Sequence, residues 1–276
     1  MNFKRLLKVL LIVLPPLGLL YVLMLACRRN HPWPEGMKSV RYAHRGLHHL
    51  PEAPENSLTA FKEAIAHGYG AELDVHLMAD GNLAVIHDSS LLRTAGADVM
   101  VEDLTAEELK TYRLEGTDEQ IPLFEEVLSL FENKTPLVVE LKTARGNERE
   151  LAARTCEVLD QYQVKYCIES FDPRALMWLK EFRPEIVRGQ LSGALTKSKS
   201  ADQPKPVLWV LSHLLLNWKT KPDFIAYDHR YRRVPELKLS RLLYGVQEVS
   251  WTVRTEEEAQ ALEKDRCLII FENFGR

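Results

Sequence analysis

The chain has 276 residues, of which 46% are hydrophobic and 27% charged, and its formal net charge is −3. This is the composition of an ordinary globular protein with room for one large domain or two small ones. The near-neutral charge gives no support for nucleic-acid binding, which usually needs a strongly basic surface. The four cysteines are too few and too scattered for a disulfide framework or a zinc site, so we expect those in the folded domain to be buried.

The N-terminal segment predicts a membrane anchor over residues 1–29. Three basic residues precede an uncharged run over residues 9–27, which is long enough as a helix for a hydrocarbon core of about 30 Å. Membrane helices tolerate a kink such as the one expected at Pro15 and Pro16. A cleaved signal sequence is the alternative, but the two arginines that follow the run fit it poorly. The excess of basic residues before the run favours a single-pass protein with its domain outside the cytoplasm.

Residues 30–38 read as a short proline-containing linker, and residues 39–276 as the folded domain. Apolar strand-like runs alternate there with segments of helical periodicity. We expect eight strands, centred near residues 42, 73, 138, 167, 188, 225, 250 and 269. Eight strand–helix units over this length predict a (β/α)8 TIM barrel. A doubly wound open sheet is the alternative, but no glycine-rich phosphate loop follows the first strand.

Two helix starts are marked by capping residues. Asn56 or Ser57 can begin the first domain helix, and Thr105 with Glu108 forms a capping-box pattern. The segment over residues 196–223 is longer and more apolar than a barrel helix needs. It is expected either to pack on the barrel or to lie against a membrane beside the anchor.

The segment "GYGAELDVHLMADGNLAVIHD" over residues 68–88 places acids and histidines in strand-like sequence. Asp80 and Gly81 favour a two-residue type I′ hairpin turn. That turn would set Asp74 opposite His87 and put Glu72 and His76 on the same face. Polar residues that alternate along a strand often simply form its solvent-exposed face. Converging acids at barrel strand ends, however, would be stabilised by a divalent cation.

Six motifs, taken in order, resemble the glycerophosphodiester phosphodiesterase family: "AHRG" (43–46), "PENSLTAF" (54–61), "AELDVHLMADGNLAVIHD" (71–88), "IPLFEEVL" (121–128), "VVELK" (138–142) and "ESFDP" (169–173). The resemblance implies a TIM barrel that cleaves phosphodiesters at a glycerol with one divalent cation, Ca²⁺ or Mg²⁺. It implies as metal ligands Glu72, Asp74 and Glu140, and as catalytic residues His44 and His87. It implies contacts with phosphate or substrate for Arg45, Lys142, Glu55, Asn56, Phe171 and Trp251, the two aromatic residues being equally compatible with simple packing. His76 is expected to be structural or at the rim.

The chemistry suits these residue types, because cations neutralise a phosphodiester and two histidines can take and give protons. The nucleophile is either water or the glycerol 2-hydroxyl, and either histidine can be the acid. Expected substrates are glycerophosphodiesters, lysophospholipids or polyglycerophosphate. A lysophospholipase D-like or cyclising activity is a related alternative, and a catalytically inactive membrane-bound barrel is the alternative of a different class. Glu272 and Asn273 replace the family's usual Thr-Asp near the C-terminus, which leaves substrate preference open.

Overall fold

The computed structural model describes residues 3–197 and 203–276, with side chains from residue 13 onward. The chain begins with helix α1 (Phe3–Met24), where the sequence predicts a membrane-spanning anchor. Among the residues described, no helix is both long and apolar enough to cross a membrane. Residues 1 and 2, and the three basic side chains on which the predicted orientation rests, lie outside the described part.

Eight parallel strands form the barrel that the sequence predicts. They are β1 (Tyr42–His44), β2 (Gly70–Leu77), β4 (Leu137–Leu141), β5 (Tyr166–Ser170), β6 (Arg188–Ser192), β7 (Phe224–Asp228), β8 (Gln247–Val253) and β9 (Leu268–Phe271). Each barrel strand pairs with the next along the chain, and β1 pairs with both β2 and β9, which closes the barrel. A further strand, β3 (Leu83–Val85), pairs antiparallel with the C-terminal half of β2.

Helices connect the strands and cover the outside of the barrel. They are α2 (Leu58–Ala66), α3 (Leu92–Ala95), α4 (Ala106–Leu109), α5 (Phe124–Phe131), α6 (Glu148–Leu159), α7 (Pro173–Phe182), α8 (Lys205–Ser212), α9 (Asn217–Thr220), α10 (Pro235–Tyr244) and α11 (Glu256–Lys264). Short 3₁₀ helices lie at Val101–Asp103, Leu195–Lys197 and His229–Tyr231. The apolar sides of these helices pack on the strands. All four cysteines are buried, and this burial was expected for the three in the folded domain.

The capping residues act much as the sequence suggests. Thr105 and Glu108 form the predicted capping box at α4. Helix α2 begins after Ser57, whose hydroxyl accepts from the backbone N–H of Ala60 at 3.0 Å. Asn56 is therefore not the cap, and its side chain is available for another role.

The hairpin between β2 and β3 is present, but the predicted register is wrong by one residue. Ile86 lies opposite Asp74, with its N–H donating to the Asp74 carbonyl at 3.1 Å, where the sequence predicts His87. The loop has three residues, 79–81, and Gly81 adopts φ +81°. Because a third loop residue in the left-handed region replaces the two-residue turn, the pairing shifts by one. His87 consequently lies beyond the end of β3 and outside the ladder.

The apolar segment after β6 also differs from the prediction. The sequence over residues 206–218 reads as one strongly apolar helix, but the segment forms two helices, α8 and α9, and the chain turns between them at Leu214, where φ is +57°. Residues 198–202 of this segment lie outside the described part. Because α8 follows the C-terminal end of β6, it borders the end of the barrel where TIM-barrel sites lie.

The end of α1 is fixed to the outside of the barrel by polar contacts at both ends of β7. The Tyr21 hydroxyl donates to Glu236 at 2.6 Å, near the start of α10 and thus beyond the C-terminal end of β7. The Arg28 guanidinium donates to Asp223 at 2.6 Å, immediately before β7. Residues 13–20, which precede this attachment, are all exposed.

Candidate active site

Three buried carboxylates converge at the C-terminal end of the barrel. Asp74 on β2 is the register partner of Glu140 on β4, and Glu72 shares the face of Asp74 because it lies two residues earlier. One oxygen from each lies within 4.8 Å of the others, and each residue is at most 7% exposed. Hard divalent cations take such carboxylate oxygens as ligands, so this donor set fits Ca²⁺ or Mg²⁺.

Two basic side chains balance part of this negative charge. Lys142 Nζ lies 3.0 Å from Asp74 Oδ1 and 2.8 Å from Glu140 Oε1. Arg45 lies on the other side, with its backbone N–H donating to Glu72 at 3.1 Å and its Nε 3.6 Å from Asp74.

The pKa values of two carboxyl groups in the cluster, those of Glu72 and Asp74, are shifted in opposite directions. Burial together with the charges of Asp74 and Glu140 raises the pKa of Glu72 well above its usual value. Burial acts in the same direction on Asp74, but Lys142, His87 and Arg45 hold the pKa of Asp74 well below its usual value. Adjacent carboxylates that repel each other in this way are stabilised by a bound cation.

His44 is oriented by a carboxylate that the sequence did not suggest for this role. Its Nδ1 lies 2.9 Å from Glu272 Oε2 and its Nε2 lies 3.9 Å from Glu72. A carboxylate only accepts, so the neutral ring donates from Nδ1 and directs an unprotonated Nε2 towards the acidic cluster. Burial lowers the pKa of His44 to about 4, which keeps the ring neutral near pH 7.

His87 is oriented by its neighbour in sequence. Its Nδ1 lies 2.6 Å from Asp88 Oδ1, and Arg93 donates to the other oxygen of Asp88 at 2.5 Å. Arg93 also donates to Glu55 at 2.6 Å, and Glu55 accepts from Arg45 at 2.9 Å. A chain of ion pairs therefore connects the two predicted histidine-bearing segments.

Asn56 and His76 support this arrangement from buried positions. The Asn56 amide donates to Asp74 Oδ2 at 2.9 Å, and its backbone has φ +56°. The His76 ring contacts Glu102 at 2.8 Å and the backbone carbonyl of His87 at 3.2 Å. His76 thus holds the loop that carries His87 and lies outside the acidic cluster.

A cavity of about 1000 Å³ opens beside these groups. His87 and Lys142 line it, together with Phe171 and Trp251, whose rings meet edge to face with centroids 5.7 Å apart. Its remaining wall includes apolar side chains of α8.

The structure places His44, Arg45, Asn56 and Lys142 in contact with or beside the acidic cluster, and places His87, Lys142, Phe171 and Trp251 in the lining of the adjacent cavity. It adds Asp88, Arg93 and Glu272, which were missed as positioning residues. Asp88 is adjacent to His87, and that adjacency was a usable signal. Glu272 was noticed as a departure from the family pattern, but its contact with His44 spans 228 positions and no sequence pattern predicts it.

Comparison with known proteins gives the same result for family and fold. Residues 44–273 match the glycerophosphoryl diester phosphodiesterase family. A protein of Caldanaerobacter subterraneus subsp. tengcongensis named glycerophosphodiester phosphodiesterase is 29% identical, over 83% of this chain and 91% of that protein. One of Bacillus altitudinis with the same name is 35% identical over 52% of this chain and 63% of that protein.

A solved structure extends the comparison to three dimensions. The Oleispira antarctica phosphodiesterase in complex with the product sn-glycerol-3-phosphate superposes with a TM-score of 0.69 and 26% identity, covering 84% of this chain and 92% of that one. The family match spans most of the barrel and includes every carboxylate of the acidic cluster. The chain therefore belongs to the glycerophosphoryl diester phosphodiesterase family and is a phosphodiesterase enzyme.

Proposed function

We propose that the protein hydrolyses glycerophosphodiesters to glycerol 3-phosphate and an alcohol, with one divalent cation and two histidines. The observation that carries this proposal is the convergence of three buried carboxylates with His44 on one side and Lys142 on the other. The product named in the Oleispira complex belongs to the same reaction class.

Glu72, Asp74 and Glu140 would hold the cation, Ca²⁺ or Mg²⁺. When bound there, a divalent cation polarises a phosphoryl oxygen and neutralises charge that develops on it. The residues fit this role because three acidic oxygens lie within 4.8 Å of one another in a buried site. Arg45 and Lys142, which flank the cluster, would contact the remaining phosphate oxygens.

The proton transfers belong to the two histidines. His44 presents an unprotonated Nε2 towards the cluster, so we assign it to accept the proton of the nucleophile. His87 is 31% exposed in its side chain and lines the cavity, and Asp88 orients its ring through Nδ1, so we assign it to protonate the leaving alkoxide. The nucleophile is water or the glycerol 2-hydroxyl. A cyclic glycerol phosphate trapped early in the reaction would identify the second route.

Substitution with a fold control tests these assignments. With glycerophosphocholine as substrate, His87→Ala and Glu72→Ala should each reduce turnover to background while the circular dichroism spectrum stays unchanged. An enzyme that retained near-wild-type turnover after either change would refute the role given to that residue. His67, which is exposed and remote from the cluster, offers the matched control His67→Ala, which should retain full activity.

We also propose that α1 anchors the domain in a membrane with the domain outside the cytoplasm. Two features support it: the uncharged sequence over residues 9–27, and the exposure of Leu14 and Leu17 at 58% and 54%. Leu14→Asp with Leu17→Asp should release the protein from membranes, and Leu242→Asp, at a residue 74% exposed on α10, should not. Retention of the double variant in washed membranes would contradict the proposal. Protease treatment of intact cells tests on which side of the membrane the domain lies.

A further inference from the structure

A second group of potential metal ligands lies on the Nδ1 side of the His44 ring. His44, His48 and Glu272 each place one donor atom within 4.8 Å of the other two. Glu272 Oε2 lies 2.9 Å from His44 Nδ1 and 4.0 Å from His48 Nε2. The other ring nitrogen of His44, Nε2, is the one that approaches Glu72. This group therefore shares a catalytic histidine with the acidic cluster but uses the opposite nitrogen of its ring.

The orientation of His44 by Glu272 does not explain the position of His48. The Nε2 atom of His48 is buried and has no hydrogen-bond partner among the residues described. Its distance of 4.0 Å from Glu272 Oε2 is too long for a hydrogen bond. Buried polar side-chain atoms without a partner are uncommon and point to a further ligand. An ion held between His48 and Glu272 would satisfy this nitrogen.

The donor atoms of this group fit zinc. Two imidazole nitrogens and one carboxylate oxygen are a known ligand set for Zn²⁺, and tetrahedral bonds of about 2.0–2.2 Å place such atoms about 3.3–3.6 Å apart. The distances of 2.9 and 4.0 Å from Glu272 Oε2 lie on either side of this range, so small side-chain shifts would complete the site. Because Ca²⁺ and Mg²⁺ prefer oxygen ligands, this group should select zinc over the ions expected at the acidic cluster.

Arg254 holds the carboxylate of Glu272 in place for this role. Its Nε lies 2.7 Å from Glu272 Oε1, which leaves Oε2 for His44 or for an ion. Polar partners of this kind commonly orient the carboxylates that ligate metals. Glu272 is also one of the two residues that replace the family's usual Thr-Asp, so the resemblance to the family does not imply this site.

We propose that His44, His48 and Glu272 form a zinc site whose occupation inhibits the enzyme. The inhibition rests on the proposed function, in which His44 Nε2 accepts the proton of the nucleophile. The neutral His44 ring carries one proton, on Nδ1, which donates to Glu272. When zinc bonds to Nδ1, this proton moves to Nε2, so the ring neither gains nor loses a proton. Nε2 then has no free lone pair for the proton of the nucleophile, and the reaction stops.

Zinc binding is measured first, independently of turnover. Zn²⁺ is titrated into the full-length protein against a chromophoric chelator, with Ca²⁺ in excess. Loss of a group that merely orients a ligand typically costs about 10–100-fold in metal affinity, so His48→Asn and Glu272→Gln should each raise the Kd for zinc by at least that factor. The matched control Asp74→Asn alters the acidic cluster and should retain the wild-type affinity for zinc. A wild type that binds no zinc, or equal zinc affinity in the wild type and His48→Asn, would overturn the inference.

Turnover of glycerophosphocholine then tests the inhibition. With Ca²⁺ or Mg²⁺ saturating, Zn²⁺ should inhibit the wild type, whereas His48→Asn should keep the basal turnover and need at least about tenfold more zinc for half-inhibition. The control His49→Asn changes the neighbouring histidine, which pairs with Glu52 and Glu63, and should be inhibited like the wild type.

The outcomes separate this inference from the proposed function. Equal inhibition of the wild type and His48→Asn would mean that zinc acts elsewhere, and it would overturn the inference. An active wild type that binds zinc through His48 and keeps its turnover would refute the inhibition and leave the proposed function intact. No turnover with any cation in the absence of zinc would refute the proposed function and the inhibition with it, while the binding measurement would still decide whether the zinc site exists.

Discussion

Asn56 offers the sharpest test of how the fold positions the acidic cluster. Its side chain is fully buried, its amide donates to Asp74 at 2.9 Å, and its backbone lies in the left-handed region at φ +56°. Substitution by alanine removes the amide and leaves a β-carbon in a conformation that alanine disfavours. Substitution by glycine removes the amide and relieves the backbone.

The two substitutions should therefore differ by a definite amount. A hydrogen bond to a charged group contributes about 1.5–3 kcal/mol, and both variants lose it. Alanine adds about 1–2 kcal/mol of left-handed strain. Glycine instead adds about 0.5–1 kcal/mol through the greater entropy of the unfolded chain. We expect Asn56→Ala to lower the free energy of unfolding by about 2.5–5 kcal/mol, and Asn56→Gly to be more stable than Asn56→Ala by about 0.5–1 kcal/mol.

Urea denaturation in the presence of a chelator measures both values without a contribution from cation binding. The wild type and the two variants should share one m-value and differ in midpoint. Two results would refute the reasoning: an Asn56→Ala midpoint equal to that of the wild type, or an Asn56→Gly variant less stable than Asn56→Ala. The first would mean that the bond to Asp74 contributes nothing, and the second that the backbone conformation is not the one described.

Three further predictions concern the site. Ca²⁺ or Mg²⁺ at about a hundred times its Kd should stabilise the fold by about 2.7 kcal/mol and raise the Tm by about 5–10 °C, and Asp74→Asn should abolish the shift in differential scanning calorimetry. Asp88→Asn removes the carboxylate that orients His87, so kcat should fall by about tenfold to a hundredfold with little change in KM. This loss is a fraction of the rate enhancement of about 10²–10⁴ that a general acid or base typically contributes. The hydrogen bond from His44 lowers the pKa of Glu272 to about 2, so its stabilisation is present above the unfolded-state pKa and is lost as the pH falls below about 4.5. Wild-type protein should accordingly lose more stability than Glu272→Gln between pH 5 and pH 3 in urea titrations, and equal losses would contradict the pairing.

The barrel could be predicted because its signal is local and repeated. Each of the eight expected strands is present, since short apolar runs such as the one at Leu137–Leu141 alternate with helical periodicity along the whole domain. Part of the acidic cluster could be expected for the same reason, because Glu72 and Asp74 lie two residues apart on one strand. Glu140, and the assignment of all three residues as metal ligands, came from the family resemblance.

The errors arise where backbone conformation or distant residues decide. Nothing in the sequence before folding distinguishes the three-residue loop at Gly81 from the two-residue turn that Asp80 and Gly81 favour, so the register was wrong. The break between α8 and α9 depends on the left-handed conformation of Leu214, which a leucine at this position does not predict. The contact of Glu272 with His44 depends on barrel closure between β9 and β1, which brings the two ends of the domain together.

Phosphorus NMR of the full-length protein with glycerophosphocholine tests the central claim most directly. Resonances are recorded with Ca²⁺, with Mg²⁺ and with a chelator. The account predicts that the diester resonance is replaced by that of glycerol 3-phosphate with at least one of the cations and persists with the chelator. An unchanged diester under all three conditions, or conversion at the same rate with the chelator, would contradict a cation held by Glu72, Asp74 and Glu140 as the centre of the reaction.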